Sequence, residues 1–295
     1  MPISGFSEFK AHLPDFSDKQ AKLIVARLPL GTIISLLLSI LLDYSMRCLY
    51  LFIPLPIFSI IEPWIPIIIP IIFVLGGIRT AQLGFLRKDR LIQEYKNKAY
   101  QKIAKKVFTG ISMVFGGLFY AYIPHNGFPF LNAFGLTPIN PITTQLSTSL
   151  IDQWTGISWD IYPRTIIGLT ILILMIGTAI RAIKDFGVDN AGLVYVYFPE
   201  DSRIVQNDIY SIVRHPMYMA TVMLSVGGFI FQFSLYSVIH LIITSLGFAY
   251  HIVCVEEKEL IERLGDSYKN YKKKVPALFI KPKNWGLYIK FLLGK

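Results

Sequence analysis

Two polar clusters stand at the two ends of one apolar hairpin in the last third of the chain. The first is Arg214-His215-Pro216-Met217-Tyr218, and the second begins at Glu256-Glu257. A membrane hairpin brings its two ends to the same membrane face, so folding should bring the clusters together. Adjacent carboxylates beside a membrane helix are costly unless they bind a ligand or face water. The pair of clusters therefore predicts a functional site.

The first cluster predicts a turn that can contact a polar ligand. Pro216 disfavours the helical conformation at His215 and suits the first position of the following helix. The ring of Tyr218 can then cover a ligand bound at the turn. The alternative is an interfacial anchor, in which Arg214 reaches the lipid headgroups and the tyrosine lies in an aromatic belt.

The second cluster predicts a carboxylate that faces a pocket. Neighbouring helical residues point about 100° apart, so one of Glu256 and Glu257 can face a pocket while the other faces water. The alternative is an exposed helix surface. A carboxylate in a pocket suits a cationic or hydroxyl-rich ligand, and S-adenosylmethionine is both. The helix should run over 256–274, with Gly265 inside it at a cost of about 1 kcal/mol relative to Ala.

Composition indicates an integral membrane protein. Hydrophobic residues make up 53% of the chain and charged residues 16%, against roughly 45–50% and 25% in soluble domains. Apolar runs of about 20 residues can cross a bilayer. We predict an all-α, polytopic membrane helical bundle with six spans, of which the first could be two shorter pieces because Asp43 and Arg47 interrupt it. The predicted spans are 28–50, 60–83, 107–123, 163–183, 217–233 and 235–254.

The distribution of Lys and Arg predicts the orientation. Basic residues crowd the segment 87–106, whereas the segment 125–162 has none. This asymmetry predicts that both termini and the site lie on the cytoplasmic face. The formal net charge of +10 indicates contact with anionic lipids of the bilayer. Nucleic acid is not an expected partner, because no soluble domain displays these charges.

Three regions follow from this organisation. We predict a cytoplasmic lead-in over 1–27, four spans with a basic inner loop and a long outer segment over 28–184, and a chemical module over 185–295. No cleaved signal peptide is expected, since the chain begins with a mixed polar segment. Cys48 and Cys254 lie at opposite ends of predicted spans, and no Cys/His spacing suits a metal, so we predict neither a disulfide nor a metal site.

The motifs of the module, taken as a set, resemble the isoprenylcysteine carboxyl methyltransferase family. The pattern is Arg-His-Pro-x-Tyr, an apolar hairpin, Glu-Glu-x-x-Leu, and then Gly-x-x-Tyr-x-x-Tyr-x-x-x-Val-Pro, which ends here at Pro276. The resemblance covers roughly the last third of the chain.

This resemblance implies a membrane methyltransferase that takes its methyl group from S-adenosylmethionine, in a cytoplasmic-face pocket formed by the C-terminal third. The implied acceptor is the carboxylate of an isoprenylcysteine or a similar lipidic molecule that enters from the bilayer. The implied cofactor-binding residues are Ser202, Arg203, Ile204, Val205, Tyr210, His215, Pro216, Met217, Tyr218, Glu256 and Glu257.

One departure from the family bears on the acceptor. The family usually has a substrate-binding arginine one helical turn before the first glutamate, and here that position is Ile252. We expect Arg214 or His251 to hold the acceptor carboxylate instead, and both are candidate catalytic residues. The alternatives are methyl transfer to a phospholipid amine or a small thiol, a sterol or enone reductase that uses NADPH, and a lipid-binding protein without enzymatic activity.

Overall fold

The computed structural model of the chain describes residues 3–52, 60, 64–123, 146–156 and 158–294. Within these ranges all regular secondary structure is helical, which confirms the predicted all-α class. The α-helices are α1 (Phe6–Ala11), α2 (Asp18–Phe52), α3 (Ile65–Leu86), α4 (Lys88–Tyr95), α5 (Ala99–Phe119), α6 (Ser149–Thr155), α7 (Ile161–Phe186), α8 (Val188–Ala191), α9 (Val194–Tyr197), α10 (Pro216–Gln232), α11 (Leu235–His251), α12 (Glu257–Lys274) and α13 (Trp285–Leu293). Short 3₁₀ turns cover Lys96–Lys98, Tyr120–Tyr122, Pro199–Asp201, Asp208–Ser211 and Pro282–Asn284.

Four helical segments of the described chain are long and apolar enough to cross a membrane. They are Asp18–Ser45, Ile65–Leu86, Tyr162–Phe186 and the segment Leu235–Lys274, which begins with α11. The predicted span 217–233 corresponds to α10, an apolar helix of 17 residues, and the predicted span 107–123 falls mostly on α5. The number of six spans and their orientation stay predictions. The outer segment 125–162 lies largely outside the described residues.

The first span is one helix. Asp43, which we considered a possible break, lies inside α2 and is only 1% exposed. Its carboxylate accepts a hydrogen bond from the hydroxyl of Tyr120 at 2.6 Å. A buried acid inside a membrane helix is tolerated when a neighbouring helix supplies such a partner, so the acid does not split the span.

Close packing of small residues fixes α3 against α5. A Cβ atom added to Gly110 would lie 2.6 Å from the carbonyl oxygen of Gly77, and one added to Gly77 would lie equally close to the carbonyl oxygen of Gly110. Only glycine permits this approach of the two backbones. The contact determines where the C-terminal end of α3, which carries Gln82, meets the rest of the bundle.

The described part of the lead-in, residues 3–27, packs into the protein. Phe9, Leu13 and Ile24 are fully buried in a core cluster that also contains Tyr100 and Phe108 of α5. In addition, the backbone N–H of Val188 donates to the carbonyl of Ser4 at 2.9 Å. The N-terminal segment therefore supports the connection that leads from α7 to the polar clusters.

The predicted helix over 256–274 is interrupted, and the expectation for Gly265 is wrong. Gly265 has φ 58° and ψ −135°, a conformation that residues with a side chain avoid. Glycine is therefore not a weak helix former at this position but the residue that permits the bend. The bend turns the second half of α12 back toward the Arg-His-Pro turn.

Candidate functional site

The Arg-His-Pro turn has the predicted backbone and is held by the tail of the chain. His215 lies outside the helical region (φ −121°, ψ 67°), and Pro216 begins α10. The N–H groups of Arg214 and His215 donate to the carbonyls of Pro276 and Ala277 at 2.8 and 3.0 Å. Since these bonds use backbone groups on both sides, the turn and the tail after α12 form one unit.

Glu257 lies at the centre of a buried ion cluster. Its Oε1 atom is 2.5 Å from Nη2 of Arg214 and 3.4 Å from Nε2 of His215, and its Oε2 atom is 2.6 Å from Nζ of Lys272. The hydroxyl of Tyr268 lies 3.5 Å from Oε1. The side chain is 5% exposed. We expected one carboxylate of the pair to face water, but Glu257 faces cations that belong to the fold.

Arg214 is committed to the same cluster. Besides Glu257, its guanidinium donates through Nη1 to the carbonyl of Lys272 at 2.9 Å and to the carbonyl of Val275. These bonds hold the end of α12 against the turn. Arg214 also borders the cavity described below, but its charge is compensated by Glu257.

Glu256 and His251 face each other because the helix widens between them. Five residues of a regular α-helix rotate by about 500°, which would leave the two side chains about 140° apart. Here Ile252–Glu256 forms a π turn, whose wider ring of i→i+5 bonds brings the fifth residue back to the same face. Nε2 of His251 consequently lies 3.7 Å from Oε2 of Glu256.

This π turn changes the interpretation of Ile252. His251, five residues before Glu256, lies one turn away from it on the same face of the helix. The family motif had placed Ile252 at this position. Ile252 is 2% exposed and does not border the cavity, whereas His251 does. Nothing in the hydrophobic pattern signals the extra residue.

The remaining contacts of His251 come from two other helices. Nδ1 lies 3.2 Å from Nε2 of Gln82 on α3, and Nε2 lies 3.1 Å from the hydroxyl of Tyr218 on α10. The ring also packs edge-on against Phe85, with the ring centroids 5.9 Å apart. His251 is thus held from three sides.

His215 lies between the two carboxylates. Its Nδ1 is 3.6 Å from Oε1 of Glu256, and its Nε2 is 3.4 Å from Oε1 of Glu257. Burial alone would lower the pKa of this ring, but the two carboxylates stabilise its protonated form, and the net effect raises the pKa above 6.5. These surroundings therefore favour the protonated form of His215 more than water does.

A cavity opens beside these groups. Its empty volume is about 1370 Å³, which includes space open to solvent. Apolar side chains of α3, α5 and α11 line one part, among them Ile78, Ala81, Val114 and Phe248. The segment 203–205 and the first turns of α12 line another part. Ligand pockets typically combine an apolar wall with a few polar groups in this way.

Most of the predicted site residues border this cavity. Those that do are Arg203, Ile204, Val205, Tyr210, Arg214, His215, Met217, Tyr218, His251 and Glu256. Ser202, Pro216 and Glu257 do not. The hydroxyl of Ser202 accepts a hydrogen bond from Arg263 at 2.6 Å, Pro216 begins α10, and Glu257 belongs to the ion cluster.

We had predicted a pocket formed by the C-terminal third alone, but helices from earlier in the chain also contribute to it. Gln82 on α3 holds His251, and residues of α3 and α5 line the cavity. These contributions depend on helix packing across a long stretch of sequence, so no local motif identifies them. A polar Gln near the end of an apolar span was the one signal available.

The relationships of the chain agree with this geometry. Residues 163–267, which include α7, the Arg-His-Pro turn and both glutamates, match the family model described as phospholipid methyltransferase. The resemblance to integral membrane methyltransferases that the motifs predicted is confirmed at this level.

Two curated proteins whose sequences resemble part of this chain are named methanethiol S-methyltransferase. The protein of Crocosphaera subtropica is 32% identical over 104 residues, which are 32% of this chain and 38% of that protein. The protein of Pseudomonas deceptionensis is 39% identical over 77 residues, 24% of this chain and 26% of that protein. The chain therefore spans well under half the length of these relatives. No solved structure matches significantly.

No group of three or more His, Cys, Asp or Glu residues in the described ranges is placed to hold a metal ion. Most polar groups of the site have each other as partners. The Nε atom of Arg214 has no hydrogen-bond partner among the described residues, although both terminal nitrogens of its guanidinium are bonded. The Oε2 atom of Glu256 is buried and has no hydrogen-bond partner among the described residues.

Proposed function

We propose that the protein is a membrane methyltransferase that uses S-adenosylmethionine and transfers the methyl group to a neutral thiol. The observation that carries the proposal is the contrast between a buried Glu256 oxygen without a hydrogen-bond partner and the pairing of Arg214, the arginine expected to bind an anionic acceptor, with Glu257. The first suits a cationic methyl donor, and the second disfavours an anionic acceptor.

The residues fit the methyl donor. Oε2 of Glu256 is a buried acceptor without a partner, and it borders the same cavity as the segment 203–205 and Tyr218. A carboxylate so placed would hold a sulfonium or ammonium group, while the tyrosine ring covers it. The sulfonium of S-adenosylmethionine supplies an already activated methyl group. The task of the protein is then alignment of acceptor and donor, which can contribute roughly 7–11 kcal/mol.

The acceptor side of the cavity favours a neutral molecule over the isoprenylcysteine carboxylate. Arg214 is bound to Glu257 and to two backbone carbonyls. Arg263 is bound to Glu259 and Ser202. Arg203 also borders the cavity, but in the segment 203–205, which we assign to the methyl donor. On this assignment an anion beside His251 and the apolar wall would lack a partner, and a buried unpaired charge is costly. The names of the two curated relatives support a thiol as the acceptor.

The acceptor class can be tested by a methyl-transfer assay with labelled S-adenosylmethionine. A short alkyl thiol, farnesylated N-acetylcysteine and phosphatidylethanolamine should be compared in detergent, with binding of S-adenosylhomocysteine and of NADPH measured beside them. We expect binding of S-adenosylhomocysteine and methylation of the thiol. Methylation of the prenylcysteine alone would restore the carboxylate assignment, and binding of NADPH alone would replace the methyltransferase by a reductase.

The pH dependence gives a second criterion. A thiol with a pKa near that of cysteine, about 8.5, is ionised only in a minority at neutral pH. The thiol binds in its neutral form and must lose its proton to solvent as its sulfur takes the methyl group from the donor sulfonium. Its methylation should therefore accelerate as the pH rises from about 6 to 8. A carboxylate acceptor is already ionised over this range, so its methylation should lack that slope.

A further inference from the structure

Gln82 is the polar residue around His251 that, within the described chain, comes from the N-terminal half of the sequence. It lies near the end of α3, is 6% exposed, and is outside the family segment 163–267. A buried amide in an apolar membrane helix costs free energy unless it has a hydrogen-bond partner, and such residues are often functional. Its partner here is the imidazole that faces Glu256 and the cavity.

The geometry of this contact defines the state of the histidine. The amide nitrogen of Gln82 lies 3.2 Å from Nδ1 of His251, and an amide nitrogen only donates. With the amide oriented in this way Nδ1 accepts, which places the proton of the neutral ring on Nε2. That N–H faces the hydroxyl of Tyr218 at 3.1 Å and Oε2 of Glu256 at 3.7 Å. Protonation of Nδ1 would require the amide to turn and present its oxygen instead.

We infer that Gln82 is a positioning residue that keeps His251 in the neutral Nε2–H tautomer and thereby keeps positive charge out of the acceptor side of the cavity. The inference rests on the proposed function and deepens it, because it names the residue that selects a neutral acceptor. His251 then orients Tyr218 and Glu256 and does not bind an anion.

Other groups around His251 do not replace this role. The titratable groups that face it are Glu256 from the π turn, Tyr218 from α10 and His215 from the turn before α10. From α3 it meets only Gln82 and the ring of Phe85. A carboxylate near Nε2 favours an imidazolium, whereas burial of the ring, which is 6% exposed, disfavours it. The donor at Nδ1 adds to the effect of burial and selects the nitrogen that carries the proton.

The tautomer can be measured directly by heteronuclear NMR of the imidazole nitrogens in detergent, assigned by difference from His251→Asn. In the wild-type protein at neutral pH we expect a protonated Nε2 and an unprotonated Nδ1. A protonated Nδ1, whether in the other tautomer or in an imidazolium, overturns the inference. This readout needs no activity, so it decides the role of Gln82 even if no S-adenosylhomocysteine binds, a result that would instead contradict the proposed function.

Substitutions extend the test to acceptor choice. In Gln82→Glu the new carboxylate accepts from Nδ1 and makes His251 cationic. A prenylcysteine carboxylate should then compete with the thiol at least about tenfold more strongly. This factor corresponds to one charge-assisted hydrogen bond. Gln82→Met removes the donor without adding a charge, and it should lower turnover of the thiol without this gain. Gln232→Met is the matched control. Gln232 lies at the end of α10 that is far from Tyr218, so this variant should behave like the wild type. Equal competition in Gln82→Glu and Gln82→Met would contradict the inference.

Discussion

Glu256 and Glu257 are neighbours in sequence but belong to two regions with opposite roles. Glu257 belongs to an ion cluster with Arg214 and Lys272 that ties the end of α12 to the Arg-His-Pro turn. Glu256 belongs to the cavity wall with His251 and Tyr218, and its Oε2 atom has no hydrogen-bond partner in the described part of the chain. The same residue type thus serves the fold in one place and, in the proposed function, binds a ligand in the other.

The difference shows how to separate structural from functional charge. A carboxylate surrounded by cations of its own chain has no capacity left for a ligand, whereas a buried oxygen without a partner has been desolvated for some other purpose. Substitutions at the two positions should therefore fail in different assays, and each prediction below tests one side of that division.

The largest effect is expected from Glu257→Leu. It leaves the guanidinium of Arg214, whose side chain is 7% exposed, buried without a counter-charge, and breaking a buried pair in this way typically costs about 3–5 kcal/mol. The measurement is reversible unfolding in detergent, monitored by circular dichroism.

Two variants complete that experiment. Asp266→Leu removes an exposed carboxylate that pairs with Lys269, and it should leave the unfolding curve unchanged. The double substitution Arg214→Met with Glu257→Leu should recover part of the lost stability. Wild-type stability in Glu257→Leu alone would mean that the cluster does not hold the tail.

A smaller, pH-dependent effect is expected from His215. Because its folded pKa is raised, protonation stabilises the folded state, fully below the unfolded pKa of about 6.5 and progressively less as the pH rises through the folded pKa. Each unit of the difference corresponds to about 1.4 kcal/mol. The stability gap between the wild type and His215→Asn should therefore narrow above about pH 6.5. A gap that widens in this range would reverse the assigned charge state.

The smallest effect is expected from Lys272→Met. Lys272 is 44% exposed although it lies 2.6 Å from Glu257, and solvent-screened pairs contribute roughly 0.2–1 kcal/mol. Unfolding under the same conditions as for Glu257→Leu gives the comparison. A loss as large as that of Glu257→Leu would make Lys272, and not Arg214, the essential partner.

The sequence was sufficient to predict the local features of this site. The helical class, the non-helical His215 before Pro216 and the placement of Glu256 on a cavity follow from short patterns with direct physical causes. The resemblance to membrane methyltransferases also depended on short motifs, and the family match to residues 163–267 confirms it.

Features that depend on the packing of distant segments were missed. The π turn Ile252–Glu256 adds one residue to a turn without changing the apolar pattern, so Ile252 was assigned the place that His251 occupies. Arg214 was expected to bind a substrate. Its bonds to the backbone at Lys272 and Val275 form only once Gly265 bends α12 back, so the sequence pattern could not show them. The contribution of Gln82 required the contact between α3 and α11.

The central claim is that Glu256 faces the methyl donor while Glu257 holds the fold. Calorimetric titration of S-adenosylhomocysteine into the wild type and Glu256→Gln, both folded by circular dichroism, tests it most directly. We predict that the substitution weakens binding by about 1.5–3 kcal/mol, the contribution of a hydrogen bond to a charged group, with the unfolding curve unchanged. An unchanged dissociation constant in a folded Glu256→Gln protein would contradict the claim and remove Glu256 from the cofactor site.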